Sequence, residues 1–167
     1  MNVTWNSPDP VIRLVRRHIA LSTEGEDHLR TCMNEVLQNI KDHSQSPIGG
    51  VLCARFLSAS RQVRVAVVDR GLGIRDTLRR RHPEIESAME ALGKVFKGGY
   101  TAKSSPRNLG KGIRNLATFA SAQGGSVTLV SGDGVLEMRP GSGLPRVETC
   151  PFRFQGTAVF FTLNVAP

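Results

Sequence analysis

Three short segments of this chain carry side chains suited to holding a charged ligand. Glu35, Asn39 and His43 stand four residues apart in Glu35-x-x-x-Asn39-x-x-x-His43-Ser44, a spacing that sets them on one face of a helix. A carboxamide there offers a neutral oxygen to magnesium, which keeps several waters and bridges phosphates. The carboxylate one turn away can order or deprotonate an attacking group. Asp69-Arg70-Gly71-Leu72-Gly73 follows an apolar run. Its Asp therefore ends a strand, where it can accept a hydrogen bond from an exocyclic amine, while the glycines let the chain turn and approach a ligand closely. Asn108-Leu109-Gly110-Lys111-Gly112-Ile113 leads into a helix. The first amides of a helix bind phosphate, and Lys111 adds a point charge. A fourth, weaker signal is Gly156-Thr157 at the start of the last strand, whose hydroxyl could support Asp69 directly or through a water.

Each segment also has an ordinary reading. These are a solvated helix face, a strand-to-loop turn of the kind Asp and Gly favour, a flexible basic helix start and a plain strand start. Gly110-Lys111-Gly112 lacks the spacing of a Walker loop, and no strand directly precedes it as a Rossmann fingerprint requires. The functional reading rests on the four segments together, in this order.

The elements that must position them follow from periodicity and punctuation. After Ser7-Pro8-Asp9-Pro10, the residues Val11, Ile12, Leu14, Val15 and Ile19 repeat at helical spacing, and Thr23-Glu24-Gly25 is expected to break that helix. A second helix is expected from about Glu26 to Ser44, with Leu29, Met33, Val36, Leu37 and Ile40 as its apolar stripe. Val51 to Leu57 and Val63 to Val68 read as strands joined by a turn at Ser58 to Arg61, the second an inner strand. Glu84 to Phe96 reads as helical, and Gly98 to Pro106 as a mobile loop. Gly112 opens a third main helix over Ile113 to Ala122, closed by Gly124-Gly125. Val127 to Val130 and Val135 to Arg139 read as two strands around a hairpin turn, Ser131-Gly132-Asp133-Gly134. Gly156 to Val165 is the last strand. Helices grouped against about five strands predict a single α/β two-layer sandwich, its mixed, mostly antiparallel sheet covered on one face by helices.

Bulk composition narrows the classes. The chain has 167 residues, enough for one domain with a core. Aromatics are only 5%, so Val, Leu, Ile and Ala should build that core. The net charge of +8 includes knots at Arg13-Arg16-Arg17-His18 and Arg79-Arg80-Arg81-His82. Such charge can be a solvated face, a partner contact or a nucleic-acid surface, but no RNA-binding or helix-turn-helix signature accompanies it. Cys32, Cys53 and Cys150 form no C-x-x-C pair and are expected as reduced, mostly buried thiols. The polar first residues lack a signal-peptide core, and no apolar run reaches the roughly 18 residues of a membrane span. A cytoplasmic protein is the expectation.

The four segments in this order resemble the ATPase superfamily of gyrase, heat-shock chaperones, histidine kinases and mismatch-repair proteins (GHKL). Met33 to Ser44 is similar to its N box, Val67 to Ile74 to its first glycine box, Asn108 to Ile113 to its second and Gln155 to Ala158 to its last. The resemblance covers about residues 26 to 165. It implies the Bergerat fold and Mg-ATP as ligand. By analogy Asn39 holds the metal, Asp69 binds the adenine amine, Gly73 lines the base pocket, and Gly71, Ile74 and Thr157 are further nucleotide-binding positions. Gly110, Lys111 and Gly112 meet the phosphates from a lid spanning about 76 to 111, Lys103 and Ile113 are further nucleotide-binding positions, and Glu35 positions the attacking group. Two departures stand out. Asn108 replaces the usual first glycine of the second box, which implies a stiffer lid. Asp42 stands where many sensor kinases have a Lys, so charge neutralisation would fall to Lys103, Arg107 or Lys111.

Only about 25 residues precede the N-box helix, and His18 lacks the acidic neighbour of a phosphoacceptor, so it reads as a surface residue. The arrangement looks like the anti-sigma-factor serine kinases, which implies an ATP-dependent kinase or ATPase acting on a protein partner in trans, a sigma-factor-like or antagonist protein, and a possible homodimer. A non-catalytic nucleotide switch and a basic nucleic-acid binder remain as alternatives.

Overall fold

The computed structural model describes residues 2–3, 6–98 and 111–165. A short strand β1 (Asn2–Val3) precedes α1 (Asp9–His18), α2 (Thr23–Asn39) and a five-residue π turn (Ile40–Ser44). Then come β2 (Gly50–Leu57), β3 (Gln62–Asp69), α3 (Ile74–Arg79), α4 (Ala88–Lys97), α5 (Lys111–Ala122), β4 (Val127–Met138) and β5 (Arg146–Asn164). The sheet order is β1-β2-β3-β5-β4. Every pairing is antiparallel, so the expected mixed sheet has no parallel pair among the described residues. Antiparallel neighbours let β3 sit at the centre, as its β-branched sequence predicts.

Alternation explains the two layers. Val63, Val65 and Val67 of β3, Leu52 of β2, Val127 and Leu129 of β4 and Phe161 and Leu163 of β5 are buried in one core with α1, α2 and α5. The opposite face presents Val51, Cys53, Arg55, Arg64 and Phe160, all exposed. The molecule is thus an antiparallel sheet with helices on one side. The core is mostly aliphatic as expected, although Phe161 is among its largest fully buried side chains. Among the described residues no helix is long and apolar enough to cross a membrane.

Several sequence expectations need correction. Thr23-Glu24-Gly25 does not break a helix. Ser22 caps α2 by accepting from the Gly25 amide at 3.1 Å, a contact worth about 1 kcal/mol, so these residues form the first turn. The same helix ends at Asn39, five residues short of Ser44, and gives way to the π turn. His18 is half-buried, its ring stacked on Phe56 at 3.9 Å, rather than free on the surface. Only Cys32 is buried; Cys53 is exposed and Cys150 half-buried.

The largest correction concerns Ser131-Gly132-Asp133-Gly134, which lies inside one continuous strand, β4. Its ladder with β5 slips there: Ser131 pairs with Thr157, Gly132 with Phe154 and Gly134 with Thr149. The glycine is selected by packing. A Cβ on Gly134 would stand 2.9 Å from Leu92 Cδ1 and 3.0 Å from the Ala88 carbonyl carbon of α4. The true reversal follows at Arg139, whose carbonyl accepts from the Ser142 amide at 3.1 Å.

Residues 74–97, expected to include part of a lid, are packed structure. Leu78, Ile85 and Ala91 form a second small core, and Leu92 and Phe96 enter the main one. Ser87 caps α4, which begins at Ala88 rather than Glu84.

Candidate functional site

Four chain segments meet at one end of the sheet. Asp69 ends β3 and is 4% exposed. Its Oδ1 accepts from the Gly71 amide at 2.8 Å, and the Thr157 amide opposite it on β5 also supports the charge. Burial outweighs both contacts and holds its pKa above the usual carboxylate value. A buried acceptor whose charged form is only partly compensated is suited to an external donor.

The turn after Asp69 is fastened to the end of the π turn that follows α2. Leu72 donates its amide to the Ser44 carbonyl at 2.7 Å, and Gly71 lies so close that a Cβ would overlap that oxygen. Gln45 follows in the left-handed region at φ 52°, and Arg80 donates to its Oε1 at 3.1 Å. Gly73, at φ +79°, packs against Ser131 and Gly156. Ser131 is the residue the sequence reading missed. Its hydroxyl accepts from the Ile74 amide at 2.8 Å and donates to the Gly156 carbonyl at 2.8 Å. One side chain thereby ties the β3–α3 turn to the start of the Thr157 segment. Its signal was hidden because the flanking glycines read as a hairpin.

Glu35 and Asn39 lie on the last turns of α2. Asn39 is exposed, and its side chain makes no capping hydrogen bond to the π turn. Glu35 Oε2 is buried without a hydrogen-bond partner among the described residues, a state that costs about 1–3 kcal/mol unless a donor arrives. It faces the first turn of α5: a Cβ on Gly112 would stand 2.9 Å from both Glu35 Cβ and Oε2. Only a glycine lets the helix start come this close. His43 lies beyond the end of α2, in the π turn. Asp42, likewise in that turn, accepts from the Gln38 amide group at 2.6 Å.

The remaining predicted residues divide in two. Ile74 is half-buried against both cores, and Ile113 is 5% exposed within the main one; both support the site by packing. Lys111 is the first residue of α5. Lys103, Arg107, Asn108 and Gly110 lie outside the described residues.

The arrangement combines a buried acceptor at a strand end, a carboxamide and a carboxylate on one helix, and a helix start against that carboxylate. A scan against protein-family models matches none, and a search of curated proteins finds no significant match.

Proposed function

We propose that this protein binds Mg-ATP in a Bergerat-type site and acts as an ATP-dependent regulator of a protein partner in the cytoplasm, transferring phosphate to it in trans. The observation that carries the reading is the meeting of four separated segments: Asp69 opposite Thr157, Gly71 against Ser44, and Gly112 against Glu35. The residues suit the ligand. Asp69 would accept from the adenine amine, Asn39 would hold magnesium together with the phosphates, and the α5 start with Lys111 would meet the phosphate oxygens. The unpartnered Glu35 oxygen would orient or deprotonate the acceptor hydroxyl. Magnesium would supply charge neutralisation on the phosphates.

Calorimetric titration with Mg-ATP tests the binding; absence of heat at millimolar nucleotide would remove the proposal. Labelled ATP with candidate partner proteins tests transfer. Glu35→Ala should abolish transfer while retaining nucleotide; equal transfer by the variant assigns the role elsewhere.

One observation favours a second reading, a nucleotide switch without chemistry. Asp42, which accepts from the Gln38 amide group at 2.6 Å, stands where many of the sensor kinases that the chain resembles carry a Lys, so it would add negative charge rather than neutralise phosphate. Tight Mg-ATP binding with neither hydrolysis nor transfer would select it.

A further inference from the structure

The arginine knot on α1 divides in the fold. Arg16 pairs with Glu26 of α2, and His18 stacks on Phe56. Arg13 and Arg17 instead line a cavity of about 110 Å³ between α1 and β2, with Pro10 and Leu14 from the helix and Leu52 and Ala54 from the strand. Residues 10, 13, 14 and 17 recur at helical spacing, so one face of α1 looks onto the strand. No carboxylate lines this cavity. Pockets for small-molecule ligands span roughly 300–1,000 Å³, so this one suits a single aliphatic side chain instead.

The strand beside it has a free edge. β1 covers β2 only at Leu52 and Cys53. Ala54 to Leu57 pair with β3 on one side and, among the described residues, with no strand on the other. Unpaired strand groups are a template for another chain. On the open sheet face Arg55 stands directly across from Arg64, a like-charge pair whose cost an anionic neighbour would relieve. Arg64 donates to Gln62 Oε1 at 3.1 Å. Arg13, Arg17, Arg55 and Arg64 are all exposed, and none has an ion pair among the described residues.

We infer that the β2 edge takes an extended segment of a protein partner in which an apolar residue stands among acidic ones. Added as a strand, the segment alternates its side chains between the two sheet faces. Its apolar residue, on the helix side, enters the cavity. The residues next to it point to the open face, where carboxylates meet Arg55 with Arg64 behind it. Those two positions away return to the helix side, where carboxylates meet Arg13 and Arg17. Charge complementarity selects this occupant, because a second copy of the chain pairing edge to edge would set the same arginines against each other. Single-stranded nucleic acid needs rings on which its bases stack, and the one aromatic ring of β2, Phe56, is already stacked on His18. Arg64 lies five residues from Asp69 along β3, about 16 Å. The inference therefore does not rest on nucleotide binding, and its test contains no nucleotide.

The experiment is fluorescence anisotropy with the full chain, at an ionic strength that screens charges beyond about 8 Å. The probe is a labelled, end-blocked pentapeptide with one leucine between two pairs of glutamates. Saturable binding is expected. The double variant Arg13→Glu/Arg55→Glu should weaken it by about tenfold or more, while the same charge change in Arg79→Glu/Arg81→Glu, on exposed residues elsewhere, alters it by less than about twofold. Serine in place of the peptide's leucine should weaken binding several-fold, and N-methylation of alternate peptide amides should abolish it. Equal weakening by the Arg79/Arg81 pair would reduce the effect to net charge and overturn the inference. So would unchanged affinity of the serine or the methylated peptide, or no saturable binding to the wild type at millimolar peptide. Tighter binding of a single-stranded oligonucleotide, lost in the Arg13/Arg55 variant, would overturn it in favour of nucleic acid.

Discussion

Gly71 and Ser44 are in backbone contact: the Ser44 carbonyl occupies the space a Gly71 side chain would need and accepts from the next amide, Leu72, at 2.7 Å. This contact fixes the π turn after α2 against the loop that carries Asp69. Gly71→Ala has no flexible neighbour to displace, since the obstacle is backbone. It should lower stability by about 3 kcal/mol or more, or prevent folding. Urea unfolding reads this directly, and a midpoint equal to wild type would mean that the turn is free to move away.

Gly112→Ala makes a milder collision, with the Glu35 side chain at 2.9 Å. Part of the cost is offset because Ala favours the helix by about 0.5–1 kcal/mol over Gly. The expected net loss is about 1–2 kcal/mol in thermal unfolding. Mg-ATP affinity should fall further than this loss implies, because the α5 start is pushed away from Glu35. Unchanged affinity would separate the α5 start from the phosphate site.

Asp69 predicts opposite signs for stability and binding. Burial raises its folded pKa above the unfolded value, so the carboxylate disfavours the folded state at neutral pH, and this penalty is relieved as pH falls through the folded pKa. Asp69→Asn keeps an oxygen for the Gly71 amide and should leave stability equal or higher. If Mg-ATP binds as proposed, with Asp69 accepting from the adenine amine, the same variant should bind it at least about tenfold more weakly. Wild-type affinity should fall as pH drops through the mildly acidic range, at a higher pH than an ordinary Asp would give. Calorimetry across pH checks both; flat affinity in variant and wild type would exclude Asp69 from the site.

The thiols should separate by reactivity. Burial first, and then the nearby Glu35 charge, push the Cys32 thiol up to about 12, and only thiolate reacts. Cys53, exposed on the open sheet face, should be modified rapidly by a disulfide reagent at neutral pH, whereas Cys32 should react only after unfolding. Rapid native labelling of Cys32, located by mass spectrometry, would contradict the packing of α2.

These residues show where the sequence was legible. Asp69 at a strand end, Glu35 and Asn39 one turn apart, and Gly112 at a helix start were readable because each depends on spacing within a few residues. The Ser131 clamp was not. Its partners, Ile74 and Gly156, are 57 and 25 residues away, and its glycine neighbours mimic a turn.

The sequence alone determined the elements with strong periodicity and the acidic, amide and glycine positions on them, because hydrophobic spacing and local capping act within a turn or a strand. Tertiary structure alone decided that Gly132 and Gly134 continue a strand, that α2 stops at Asn39, that α3 and α4 pack into cores, and that Arg75 and Arg153 line one cleft. Those outcomes depend on which surfaces press together. Packing of α4 on β4 and of Gly71 on Ser44 overrides the local preference of the residues involved.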